Sequence, residues 1–222
     1  MTPRIDAVVF DLDNTLVDSK VDFARMRSLI EDYIIEKHPG IGPLKARTTM
    51  ELIETFAEHG DDGLEEDLVT IHRIMDETEI ESSGKATPLI DVIEVLASLR
   101  EMGLKLGLLT RSCEDYSRRV LGDSIGIFDS ISCRSPGKPA KPDPAPLEEM
   151  ARDMDVDVQK TLLVGDHVMD GHCARSAGAM FLAVTTGSSS REELSKYSPL
   201  SVLDDLTTLP EVLQRMNFTG RE

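Results

Sequence analysis

Short apolar runs recur along the chain, and stretches with a helical period lie between them. Ile5–Phe10 is apolar and β-branched, as a strand buried on both faces requires. Leu104–Leu109 is a second such run, between Gly103 and Thr110, and Ile127–Ile131 is a weaker third. Thr161–Val164 ends at Gly165, Met180–Val184 follows, and Ser201–Leu203 forms a short sixth. Leu89, Val92, Ile93, Leu96 and Leu99 fall at i, i+3, i+4, i+7 and i+10, which predicts a helix. Ala145–Asp153 follows Pro144, a favourable start, and Val168–Ala177 ends at Gly178, a favourable stop. Asp205–Met216 reads as a last helix. Strands alternating with helices predict a parallel sheet covered on both faces, an α/β body.

Residues 20–85 break this rhythm and contain no strand-like run. Helices are predicted at Asp22–Lys37, Pro43–His59 and Leu64–Thr78. The breaks between them are Pro39-Gly40-Ile41-Gly42-Pro43 and Gly60-Asp61-Asp62-Gly63, and Ser82-Ser83-Gly84-Lys85 reads as a hinge back into the body. Met26, Met50 and Met75 read as core fillers of these helices. The expected organisation is an α/β unit of residues 1–19 and 86–222, interrupted by a helical unit of residues 20–85.

Composition narrows the function classes. The 222 residues carry 24 basic and 41 acidic side chains, a net charge of −17. Nucleic acid and anionic membrane surfaces both call for a basic footprint, so neither is expected as a partner. An anionic substrate would need local positive charge from a metal, lysine or arginine. Cys113, Cys133 and Cys173 match no zinc spacing and read as free thiols in a reducing cytosol. The N-terminal apolar run is too short for a signal peptide, and no stretch approaches the ~20 apolar residues of a membrane span. A cytoplasmic protein is expected, monomer or homodimer.

Candidate chemistry collects at the strand ends. Asp11-Leu12-Asp13-Asn14-Thr15 puts two carboxylates at i and i+2 past the first strand, where open α/β sheets bind ligands. The same residues also fit an acidic loop in which Asp13 or Asn14 stabilises a turn. Thr110 ends the second strand, followed by Arg111; its hydroxyl suits a phosphoryl oxygen or the cap of the next helix. Lys141, in Lys141-Pro142-Asp143-Pro144, opens a helix and can aim an ammonium at the crevice; Lys138 is a rival without that context. Asp166 sits at the tip of another strand, and Asp170 is one helical turn on. Converging carboxylates suit Mg²⁺, although Asp170 also suits the dipole of a first helical turn.

In this order, the motifs resemble those of the haloacid dehalogenase superfamily of phosphohydrolases, over about residues 5–190. Asp11 to Thr15 matches its first motif, Thr110 the second, Lys141 the third, and Gly165-Asp166 with Asp170 the fourth. The resemblance implies a Rossmann-like parallel sheet with helices on both faces and an all-helical cap inserted after the first strand. It implies a catalytic set of Asp11, Asp13 and Lys141. Asp11 would be the nucleophile, giving an aspartyl-phosphate, and Asp13 the acid and base. Mg²⁺ would be held by Asp11, the Asp13 carbonyl and Asp166, with Asp170 orienting a metal-bound water or Lys141. Thr110, Arg111 and Lys141 would contact substrate. An acid two residues after the nucleophile points to phosphate ester or anhydride chemistry, and the expected partner is a small phosphorylated metabolite, phosphoglycolate-like or a sugar phosphate. A sugar phosphomutase would use the same residues, and a binding module could keep the fold. The cap would set the substrate, with Lys20, Phe23 and Arg27 as candidate contacts. His167, where similar proteins often carry serine or threonine, reads either as a helix-start residue or as catalytic.

Overall fold

The structure, a computed structural model, describes residues 4–42, 44–46, 48–59, 63–89 and 91–218. The strands are β1 (Ala7–Phe10), β2 (Val17–Asp18), β3 (Thr87–Pro88), β4 (Lys105–Leu109), β5 (Ser130–Ser132), β6 (Thr161–Gly165), β7 (Met180–Val184) and β8 (Val202–Leu203). The helices are α1 (Phe23–Lys37), α2 (Thr49–His59), α3 (Leu64–Ser82), α4 (Val92–Glu101), α5 (Glu114–Leu121), α6 (Ala145–Asp153), α7 (Val168–Ala177), α8 (Arg191–Ser195) and α9 (Leu209–Phe218). They divide into two units, Met1–Ser19 with Ala86–Glu222, and Lys20–Lys85.

In the α/β unit six parallel strands run in the order β5-β4-β1-β6-β7-β8. The chain builds outward from β1 through β4 to β5, then returns to the other side of β1 with β6. That reversal makes the carboxyl end of β1 a switch point, where an open sheet leaves a crevice. Every residue of β1 is buried, as its unbroken apolar run demands. Ala7 and Val9 join Leu147, Met150, Cys173 and Ala174 in one core layer beneath α6 and α7. Val8 and Phe10, also buried, point to the opposite face by strand alternation. Burying Phe10 fully contributes about 1.5–3 kcal/mol relative to leaving it exposed.

The helical unit is built from α1, α2 and α3, with α3 packed against both partners. Met26, Ile30 and Ile34 of α1, Leu52, Ile53 and Phe56 of α2, and Ile71 and Met75 of α3 are buried. The Asp22 side chain caps α1 by accepting from the Arg25 N–H at 2.9 Å. Buried Asp67 accepts from Tyr33 Oη at 2.6 Å and lies 2.8 Å from His38 Nε2. Burial would raise its carboxyl, but those two partners hold it below the usual range.

Several boundaries depart from the sequence reading. The third strand is Ser130–Ser132 rather than Ile127–Ile131, because Gly122–Ile127 winds into a 3₁₀ turn. Thr48 Oγ accepts from the Glu51 N–H, so α2 starts at Thr49 and not in the Pro43 turn; Pro43 itself lies outside the described residues. Gly60, Asp61 and Asp62 of the next break also lie outside them. α3 runs to Ser82 rather than Thr78, so the expected hinge begins inside the helix and continues as a 3₁₀ turn over Ser83–Lys85. α4 starts at Val92, since the Leu89 N–H bonds to Leu16 O and Asp91 is left-handed. The last helix starts at Leu209, because the Asp205 carboxylate turns back onto the Thr207 N–H at 2.8 Å. The antiparallel β2–β3 pair and the short helix α8 have no counterpart in the periodicity reading.

Candidate active site

β1 hands the chain into a tight turn at the switch point. The Asp11 N–H still bonds to Val164 O of β6 at 2.9 Å, while the Leu12 carbonyl accepts from Leu16 and Val17. Asn14 adopts a left-handed backbone, which Asn tolerates. The Thr186 hydroxyl, from the loop after β7, donates to Asn14 O. This turn aims Asp11 inward and leaves Asp13 on the side of β4.

The Lys141 ammonium donates to Asp11 Oδ1 and to Asp170 Oδ1, the latter at 2.6 Å. The lysine residue is only 4% exposed, so this is a buried triad rather than a surface ion pair. Asp166 accepts from Thr15 Oγ at 3.1 Å. Carboxylate oxygens of Asp11, Asp166 and Asp170 lie within 4.8 Å of one another. Three carboxylates against one ammonium leave two negative charges unbalanced in a buried space. A divalent cation with hard oxygen ligands matches both that charge and that donor set, so the residues present fit Mg²⁺.

The electrostatics follow from the crowding. Burial, opposed by Lys141 and reinforced by Asp170, Asp166 and Asp13, holds the Asp11 carboxyl well above the usual range. Burial and then the Asp170 charge push Asp166 up to about 6. Lys141 is held firmly charged: burial works against the ammonium, but Asp11 and Asp170 more than offset it.

The neighbouring loops are shaped around these acids. A Cβ on Gly165 would come within 2.2 Å of Asp170 Oδ2, and one on Gly187 within 1.6 Å of Asp166 Oδ2. Both positions therefore need glycine for close approach rather than for backbone freedom. Ser189 Oγ accepts from the Val168 N–H at 3.2 Å, which ties the same loop to the start of α7.

Thr110 ends β4 and is buried, and its hydroxyl accepts from the Ser112 N–H at 3.0 Å. The helix that follows is capped at Cys113, so Thr110 is not its N-cap. The Arg111 guanidinium lies against Met169 Sδ, and its carbonyl accepts from Arg134 Nε at 2.8 Å. Lys138 is exposed. His167 is the N-cap of α7: its Nδ1 accepts from the Met169 N–H at 3.3 Å, and its own N–H donates to Asp170 Oδ2 at 3.1 Å. In the helical unit Arg27 is held by Glu31 and by Ala46 O, and Phe23 is 49% exposed.

Four residues escaped the sequence reading as members of this cluster. Ser112 and Tyr116 both donate to the Asp13 carboxylate. Thr186 and Gly187 close the loop against Asn14 and Asp166. A Thr-Thr-Gly tripeptide just after the fifth apolar run was the available signal for the second pair.

Acids and a lysine converge at the switch point of a doubly wound sheet, and the chain's own sequence matches a family of hydrolases. Residues 8–184 fit the family model described as haloacid dehalogenase-like hydrolase, and the chain belongs to that family. It is 28% identical to the phosphoglycolate phosphatase of Rhodospirillum rubrum over 221 positions, covering 93% of this chain and 90% of that protein. It is 26% identical to the pyrophosphatase PpaX of Bacillus mycoides, covering 96% and 99%. The crystal structure of a hydrolase from Pseudomonas syringae shares the fold with a TM-score of 0.71 at 20% identity, over 94% of this chain and 98% of that one. Among the described residues no helix is long and apolar enough to cross a membrane.

Proposed function

We propose that the chain is a Mg²⁺-dependent phosphatase that hydrolyses a small-molecule phosphate monoester through an aspartyl-phosphate. The observation that carries this reading is the buried Lys141 ammonium shared by Asp11 and Asp170, with Asp166 beside them. An Asp11 oxygen attacks phosphorus while the ester P–O bond breaks, and its electron pair leaves with the ester oxygen. Asp13 gives that oxygen a proton. Asp13 then takes a proton from a water that attacks phosphorus, the bond to Asp11 breaks, and inorganic phosphate departs.

Lys141 offsets charge on Asp11 and on the phosphoryl oxygens, and Asp170 fixes the lysine by the 2.6 Å contact. Asp11, Asp166 and the Asp13 carbonyl would hold Mg²⁺, which when bound supplies positive charge to the phosphoryl oxygens. Thr110 and Arg111 would bind the transferring group. All of these residues belong to the α/β unit, and in this reading the helical unit is the cap.

Relatives named for phosphoglycolate and for pyrophosphate support a small phosphorylated substrate. The test is turnover of p-nitrophenyl phosphate with Mg²⁺ and with EDTA, followed by a panel including 2-phosphoglycolate, pyrophosphate and hexose phosphates. Activity should require the metal and vanish in Asp11→Asn with circular dichroism unchanged. Isomerised hexose phosphate without phosphate release would reassign the chain as a mutase. Failure across the whole panel would overturn the reading.

A further inference from the structure

Asp13 is gripped by hydroxyls. One carboxylate oxygen accepts from Ser112 Oγ at 2.6 Å and the other from Tyr116 Oη at 3.0 Å. Ser112 comes from the β4–α5 connection and Tyr116 from the first turn of α5, 99 and 103 residues along the chain. Neither is a casual surface contact: Ser112 is 4% exposed and Tyr116 is fully buried. The grip is braced behind. The Ser112 N–H is bonded to Thr110 Oγ, and Tyr116 Oη lies 3.3 Å from Ser19 Oγ. A buried phenol needs a polar partner for its hydroxyl, and here that partner is the candidate acid.

We infer that Ser112 and Tyr116 are positioning residues that set the Asp13 carboxyl group for proton transfer to the leaving oxygen. This rests on the assignment of Asp13 as the acid and base of the phosphatase reading. Each carboxylate oxygen has two lone pairs, so one hydroxyl bond apiece fixes the rotamer and leaves a site on each oxygen for the proton. As the ester P–O bond breaks, its electron pair stays on the leaving oxygen, which takes the Asp13 proton. A strongly basic alkoxide needs that proton, whereas a nitrophenolate leaves without it. The grip therefore matters in proportion to the basicity of the leaving group.

The experiment measures kcat/KM, which reports steps up to departure of the leaving group, for a series of aryl and alkyl monoesters with Mg²⁺. For Tyr116→Phe and Ser112→Ala it should fall about tenfold with alkyl esters and less than about twofold with p-nitrophenyl phosphate. Ser112→Thr, which keeps a hydroxyl, should restore most of the loss. A parallel fall across the series, or no change, with wild type active throughout, overturns this inference alone. A wild type that turns over none of the esters, nor any member of the wider phosphate panel, overturns the phosphatase reading and this inference with it.

Discussion

Replacing Lys141 with methionine should destabilise the α/β unit far more at pH 8 than at pH 5 when divalent cations are chelated. Methionine keeps most of the buried stem and removes only the ammonium. Asp11, Asp166 and Asp170 would then face one another within 4.8 Å with no cation among them. At an effective dielectric of about 20, two unit charges ~4.8 Å apart repel by about 3.5 kcal/mol. Removing one partner of a buried ion pair commonly costs about 3–5 kcal/mol. The sign of the pH effect follows from the raised carboxyls. Asp11 and Asp166 already sit above the usual range in the folded chain, Asp166 at about 6. A folded state with raised carboxyls binds more protons than the unfolded chain, so stability falls as pH rises through that window. Without the ammonium the carboxyls rise further, and protonation at pH 5 relieves the repulsion. Urea unfolding of both proteins in EDTA should show a loss of about 3–5 kcal/mol at pH 8 and about half that or less at pH 5. An equal loss at both pH values would mean that the lysine matters by packing and not by charge. No loss at either would mean that the acids do not meet as described.

Three further outcomes are expected. Mg²⁺ alone should raise the thermal midpoint of the wild type, by the equivalent of about 2.7 kcal/mol at a hundred times its Kd; Asp166→Asn should blunt this, as read by scanning calorimetry without substrate. Gly187→Ala should lower turnover about tenfold to a hundredfold with only a small change in midpoint, since its Cβ would collide with the Asp166 carboxylate and displace it. Asp129 accepts from the Leu106 N–H at 2.9 Å, Lys105 at 3.1 Å and Arg100 at 2.6 Å; burial opposes them, yet together they hold its carboxyl below the usual range. Asp129→Ala should therefore cost about 1–3 kcal/mol at pH 7, and the acid-unfolding curves of the two proteins should converge as pH falls through the folded value of Asp129.

Local pattern carried much of this architecture. A short apolar run that is buried on both faces reads the same in the sequence and in the sheet at β7, whereas β1 begins at Ala7, two residues inside its apolar run. The class of the main sheet follows, because a single helix between successive strands carries the chain back to start the next strand in the same direction; β2 and β3, separated by the whole helical unit, pair antiparallel instead. Boundaries were legible only where the local signal was strong. The Gly178 stop of α7 is such a case. The starts of α2 and α9 were not, because the Thr48 and Asp205 side chains take backbone N–H groups there; nor were the start of α4 and the place of β5, which a backbone bond to Leu16 and a 3₁₀ turn set.

The sequence by itself determined which residue types stand at the strand ends, because strand tips follow directly from where apolar runs stop. It could not determine which of those residues touch. That Lys141 bridges Asp11 and Asp170, and that Gly187 makes room for Asp166, depends on strands from distant parts of the chain lying side by side. Asp13 shows the division plainly. Its spacing from Asp11 is local, but the two hydroxyls that hold it come from about a hundred residues away, brought there only when β4 pairs with β1.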